Sequence, residues 1–163
     1  MNIIFEPMNM EHSSAVMSIF NHYISTSTSA FPARPLPEPF FGMFLKKCEG
    51  GYPNFVVKDN DTVIGFCQLS PYNPMSSFVK TAECTYFIAP EYTGKGVGRL
   101  CLDKLIDSGK AMGIEHLLAE ISSENEASIR FHEANGFRKT GELEGIGEKF
   151  DRGFSVVIMQ KDI

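Results

Sequence analysis

Tyr92-Thr93-Gly94-Lys95-Gly96-Val97-Gly98-Arg99 is the stretch on which the fold turns. It follows a strand-like run ending near Ala89 and opens a segment, 96–112, in which Val97, Cys101, Leu105 and Met112 recur at helical spacing. Glycines at alternate positions let the backbone turn tightly and leave no Cβ in the way of a ligand. The first amides of a helix have no intrahelical partner, and with the helix dipole they favour an anion such as phosphate. Lys95 and Arg99 add positive charge. The stretch is not a GxxxxGK[ST] loop, and it is not a full GxGxxG, because Cys101 holds the third position. A plain turn and a phosphate cradle both remain open on these residues alone.

Downstream, Glu115 to Ile121 is predicted as a strand, 125–135 as a helix, and 137–144 and 153–160 as two late strands. Upstream, 2–6 reads as a strand and 10–24 as a helix carrying Ala15, Ile19, Phe20, Tyr23 and Ile24. A second short helix, 38–48, is led by Phe40, Phe41 and Phe44. Asn54 to Lys58 and Thr62 to Leu69 form a hairpin about Asp59-Asn60-Asp61, and Lys80 to Ala89 is a further strand. Between the two early helices, Phe31 to Pro39 is proline-rich and cannot be helical.

Hairpin strands followed by a β-α-β crossover make a mixed α/β fold, with a mostly antiparallel sheet flanked by helices. A dinucleotide-binding fold would use Glu120, about twenty residues beyond the turn, on a ribose. It would also need strands alternating with helices from the start, and only one crossover is present.

Composition bounds the rest. The 163 residues fit one domain, 1–163, with 43% apolar residues and 14 Phe, too many for a solvated coil. The net charge of −5 excludes a general nucleic-acid binder. No apolar run is long enough to span a membrane and the N-terminus does not read as a secretion signal, so a cytoplasmic protein is expected. Cys48, Cys67, Cys84 and Cys101 make no CxxC pair and are expected as free thiols. His12, His22 and His116 form no ligand cluster, so no metal is expected.

Thr93-Gly94-Lys95-Gly96-Val97-Gly98 resembles the pyrophosphate motif [Q/R]-x-x-G-x-[G/A] of the GNAT superfamily of acetyl-CoA-dependent N-acetyltransferases, with Thr93 in place of Gln or Arg. Further segments resemble its phosphinothricin and methionine sulfoximine acetyltransferase branch. They are Asn21-His22-Tyr23-Ile24, Ala82-Glu83-Cys84-Thr85-Tyr86-Phe87-Ile88, Asn125 through Phe137, and Gly147-Glu148-Lys149-Phe150. The chain departs from the branch at Ser25, at Phe154 and Ser155, and around Asn73-Pro74-Met75, where a basic residue is lacking. All of these positions bear on the acceptor.

The resemblance implies a GNAT fold, acetyl-CoA as co-substrate and transfer to the amine of a small molecule. Glu83 would be the general base, on a strand face shared with Thr85 and Phe87. The backbone of Tyr86, Phe87 and Ile88, exposed by a bulge, would meet the acyl oxygen. The turn from Thr93 through Gly94, Lys95, Gly96, Val97 and Gly98 to Arg99 would hold the pyrophosphate. Asn125 and Ser128 would hold the pantetheine arm in the gap between the strands Lys80–Ala89 and Glu115–Ile121. Asn125 also reads as a helix cap. His132 stands where many relatives have a Tyr acid, and it reads either as that acid or as a structural histidine. Phe31, Asn73, Met75, Glu83, Thr85, Lys149 and Phe150 would border the acceptor. No nucleophile turn is present, and period two turns Cys84 away from Glu83, so the amine would attack directly. Another amine, a protein N-terminus, or a non-catalytic acyl-CoA-binding module are the alternative readings, and the partners implied are acetyl-CoA, a small amine and a second copy of the chain.

Overall fold

Alternation of apolar and polar residues sets the strands, and turn chemistry sets their pairing. A computed structural model describes all 163 residues. The strands are β1 (Ile3–Pro7), β2 (Asn54–Asp59), β3 (Thr62–Pro71), β4 (Thr81–Ile88), β5 (His116–Ser122), β6 (Arg138–Lys149) and β7 (Arg152–Asp162). The helices are α1 (Ser13–Thr26), α2 (Phe41–Lys47), α3 (Val97–Ala111) and α4 (Glu126–Ala134). The β2–β3 hairpin turns on Asn60 at φ 53°, a left-handed conformation that Asn tolerates. The β6–β7 hairpin turns on Phe150 and Asp151 at φ 55° and 58°.

The seven strands lie in the order β1-β2-β3-β4-β5-β7-β6. Every neighbouring pair is antiparallel except β4 and β5, which the α3 crossover joins in parallel. This is the expected mixed sheet. One face packs on α3, through Val97, Cys101, Leu102 and Leu105 against Leu69, Ala82, Leu117 and Met159. The other packs on α1 and α2, through Val16, Phe20, Ile24, Phe41 and Phe44 against Val56 and Phe66. Met112, expected on the buried face of α3, follows its last turn and is 37% exposed.

The parallel pair is short. β4 and β5 are in register only at Thr81↔His116, Ala82↔Leu117 and Glu83↔Leu118. Beyond Glu83 the two strands diverge and open a gap in mid-sheet. The bulge expected in β4 is absent: β3 and β4 stay in unbroken register from Gly65↔Ile88 to Pro71↔Ala82. Divergence from β5 frees the edge instead.

The 27–37 connection between the early helices is tied down at both ends. The Asn21 side chain accepts from Leu36 N and donates to Leu36 O, at 2.8 and 2.9 Å. Lys149 Nζ, on a residue only 3% exposed, donates to Ser27 O at 2.7 Å and Ala30 O at 3.0 Å. Thr28 Oγ1 meets Ser122 Oγ at 2.7 Å and donates to Glu124 Oε1 at 2.9 Å. Arg152 grips both Glu124 oxygens at 2.8 Å. No helix is long and apolar enough to cross a membrane, and all four cysteines are free and buried.

Candidate active site

The gap between β4 and β5 is the floor of a cleft of about 840 Å³ that reaches both faces of the sheet. Hydrogen-bond alternation decides which amides it exposes. Thr81 O accepts from Tyr72 N and Ala89 N donates to Ile64 O, so the odd-numbered residues of β4 bond toward β3. Lys80 O accepts from His116 N, so the even-numbered residues face β5. Past Glu83 that side has no partner strand, which leaves the amides of Tyr86 and Ile88 open to the gap. The Phe87 backbone, expected among them, is turned to β3. Tyr23 Oη from α1 donates to Ile88 O at 2.5 Å and occupies that carbonyl.

At one end of the cleft lies the glycine turn. Gly94 at φ 71° and Gly96 at φ 85° adopt backbone that side-chain-bearing residues avoid, and Gly96 is the N-cap of α3. No side chain caps this helix. The first-turn amides of Val97, Gly98 and Arg99 are therefore without intrahelical acceptors, a cradle that fits a phosphate. The Val97 side chain is buried in the core and only its backbone can serve a ligand. Thr93 lines the cleft and donates its hydroxyl to Pro90 O at 2.8 Å. Arg99 is committed to Asp103 at 2.9 Å and to Asn135 at 2.6 Å, whereas Lys95 lies over the Tyr92 ring at 5.3 Å.

On the α3 and α4 side, Asn125 caps α4, its Oδ1 accepting from Ser128 N at 3.2 Å. Cap and ligand contact are compatible, because Nδ2 is not used by the cap. His132 is 3% exposed. Its Nδ1 donates to Ser128 O at 2.7 Å, so Nε2 is the acceptor for the Tyr86 hydroxyl. Burial lowers the His132 pKa, keeping the ring neutral, and raises that of Tyr86. The imidazole read as an acid thus has both nitrogens engaged, and the Tyr86 hydroxyl bonded to it also belongs to a residue that lines the cleft. Only the backbone of Tyr86 was expected to matter. Cys84 donates to Leu118 O at 3.2 Å, and burial, then the Glu83 carboxylate, push its pKa up to about 12. It remains a thiol, as direct attack by the amine requires.

On the α1 and α2 side, Glu83, Thr85 and Phe87 share one face of β4, as period two requires. Glu83 is half-buried, and its pKa is raised by burial, then by the Glu120 carboxylate, against a pull from Lys47. Glu120, which the sequence offered only to a ribose, follows Leu118 on the same face of β5 and lines the cleft. Phe20, Phe40, Phe44, Met43 and Phe31 form the apolar wall. Phe31 stacks on Phe154 at 6.1 Å, so Phe154, one of the positions at which the chain departs from the branch, backs the cleft wall with an aromatic ring.

Four expected acceptor contacts lie elsewhere. Asn73 and Met75 are in the β3–β4 connection, with Asn73 Oδ1 accepting from Met75 N at 2.9 Å, and neither lines the cleft. Lys149 spends its ammonium on Ser27 and Ala30, and Phe150 caps the β6–β7 turn with Lys149 and Arg152 on its ring. Ser25 and Ser155 are likewise outside the cleft wall, and Ser155 Oγ accepts from Gly145 N. No group of His, Cys, Asp and Glu is arranged to hold a metal ion.

Comparison with known proteins identifies the family and the fold. The model of the acetyltransferase (GNAT) family matches residues 16–137. The chain is 30% identical to the L-methionine sulfoximine/L-methionine sulfone acetyltransferase of Salmonella typhimurium over 148 residues, 90% of this chain and 86% of that protein. It is 31% identical to the phosphinothricin N-acetyltransferase of Alcaligenes faecalis over 151 residues, 91% of this chain and 77% of that one. A Salmonella typhimurium structure described as an acetyltransferase with its cofactor acetyl-CoA superposes with a TM-score of 0.91 at 28% identity, covering 99% of this chain and 94% of that one.

Proposed function

The chain belongs to the acetyltransferase (GNAT) family, and on that premise we propose that it acetylates the amine of a free amino acid or amino-acid analogue, with methionine sulfoximine and phosphinothricin as the named candidates. The observation that carries the reading is the mid-sheet gap. It runs from Thr93, the residue before the uncapped glycine turn, to Glu83.

Acetyl-CoA supplies the acetyl group as an activated thioester when bound. The amides of α3's first turn hold its pyrophosphate, and Gly94 and Gly96 keep side chains out of the way. Asn125 Nδ2 and the Ser128 hydroxyl serve the polar arm. The free amides of Tyr86 and Ile88 stabilise negative charge on the acyl oxygen. Glu83 takes a proton from the acceptor ammonium, and its raised pKa brings it closer to the working pH of a base. Tyr86 Oη, held by His132 Nε2 in the resting site, turns its single proton from that nitrogen to the leaving thiolate. Phe31, Thr85 and the aromatic wall border the acceptor.

Four unpaired thiols are in keeping with the cytoplasm as its proposed setting. A homodimer is proposed through the outer strand β6, where Leu143 and Ile146 are exposed.

The test is thiol release from acetyl-CoA against a panel of free amino acids that includes both candidates, run with Glu83→Gln and Tyr86→Phe. Turnover on a panel member that falls about 10²-fold or more in Glu83→Gln supports the class and the base. Acetyl-CoA binding without turnover on any member overturns the amino-acid assignment. The protein N-terminus and the binding module then become the readings to pursue.

A further inference from the structure

Along the β3–β4 pair, residues directly opposite share a face of the sheet. Phe66 opposes Phe87, Gln68 opposes Thr85, and Ser70 opposes Glu83. The aromatic pair stacks at 5.6 Å in the core under α1 and α2. Next to it, polar side chains replace aromatic ones, and Gln68 is the diagonal neighbour of Glu83 on that face. Gln68 is 1% exposed and lines the cleft. Its Oε1 is the one buried side-chain nitrogen or oxygen in the chain without a hydrogen-bond partner. A buried amide left unsatisfied destabilises the fold. Leu or Met would fill the site without that cost, so the amide is unexplained by folding.

A second feature lies on the opposite wall. Phe40, Met43, Phe44 and Lys47 recur at i, i+3, i+4 and i+7 and all line the cleft, which puts them on one face of α2 and the turn leading into it. Lys47 is the sole Lys or Arg among the lining residues, opposite two carboxylates, Glu83 and Glu120. Its ammonium makes no ion pair within 4.0 Å.

We propose that Gln68 positions the acceptor amine beside Glu83 while Lys47 takes the acceptor's α-carboxylate, so that together they select α-amino acids over simple amines. The proposal rests on the acetyl-transfer reading above and deepens it. An ammonium has three N–H donors. One proton passes to Glu83 and leaves the lone pair that forms the new N–C bond. A second N–H stays with Gln68 Oε1, which a turn of the buried amide brings to the cleft, and this contact fixes the rotation of the amine about its C–N bond. The third proton leaves the nitrogen for water as the C–S bond breaks and the thiolate takes the Tyr86 proton. Gln68 changes neither charge nor bond order in the step.

The experiment measures kcat and KM for a turned-over amino acid and for its decarboxylated amine, KM for acetyl-CoA, and Tm, in wild type, Gln68→Leu and Lys47→Met. Gln68→Leu is expected to raise the amino acid's KM about tenfold or more. It should leave the KM for acetyl-CoA within about twofold and raise Tm by about 2 °C or more, because the orphaned oxygen is gone. Lys47→Met is expected to abolish the preference for the amino acid over its decarboxylated amine. A fall in Tm with unchanged KM in Gln68→Leu would mark the amide as structural and overturn its role. A preserved preference in Lys47→Met overturns the carboxylate contact. Wild-type inactivity on every amino acid sinks the acceptor assignment and this proposal with it. Wild-type turnover with both variants unaltered sinks this proposal alone.

Discussion

Replacing Lys149 by Met separates two roles that the same residue could have. The resemblance places Lys149 against the acceptor, whereas the structure points its ammonium at Ser27 O and Ala30 O, 2.7 and 3.0 Å away. Met keeps the apolar stem and removes both bonds. Ala30 is 2% exposed, so its carbonyl is left without a donor, while Ser27 is closer to water. Each orphaned acceptor costs about 1–3 kcal/mol. Relief from holding an ammonium away from water, the cause of its lowered pKa, offsets part of that. A net loss of about 2–4 kcal/mol follows, which for a domain of this size lowers Tm by about 4–16 °C. The loop that loosens carries Ser29, Ala30, Phe31 and Pro32 of the cleft wall. The KM for the amine should then rise about tenfold while that for acetyl-CoA holds within about twofold, since displacing a positioning wall by ~1 Å is enough for such a change. Thermal melts and steady-state kinetics on the same preparation read both quantities. An unchanged Tm with a raised amine KM would refute the pin and restore Lys149 to the substrate.

Two other perturbations test the frame. Gly96→Ala places a Cβ at φ 85° with nothing within 4 Å of it, so its cost is purely conformational. It should destabilise by about 1–2 kcal/mol and weaken acetyl-CoA binding by calorimetry, and full retention of both would refute the strained N-cap. Glu124 is held at a pKa of about 2 by Arg152 and Thr28, below its ordinary 4.5. A carboxyl depressed in the fold stabilises fully above its unfolded value and loses that contribution as pH falls toward about 2. The Tm difference between wild type and Arg152→Leu should therefore shrink between pH 4.5 and 2, and a constant difference would count against the pair.

The sequence carried the elements because their signals are local. The hairpin at Asp59-Asn60-Asp61, the glycine entry to α3 and the Asn125 cap of α4 each depend on a few adjacent residues. What it hid depends on distant ones. Gln68 sits in an apolar run, Val63 to Leu69, and reads as core until the register sets it diagonal to Glu83. Lys149 looks like a binding lysine until residues some 120 positions earlier accept its protons. The Phe87 amide is lost to the site because it bonds toward β3, and Tyr86 gains a role because His132 turns Nε2 to it. Helical periodicity would have found Phe40, Met43, Phe44 and Lys47, had the end of α2 been read for its cation as well as for its apolar face.

The divergence of β4 from β5 also makes the sheet a structure with a seam. Four strands lie on one side and three on the other, and the interstrand ladder crosses between them at only three residue pairs. An occupant of the gap that offers hydrogen-bond acceptors to Tyr86 and Ile88 would complete this unfinished edge. The energy of binding is then also energy of cohesion between two slabs, and the empty enzyme is the looser of its two forms.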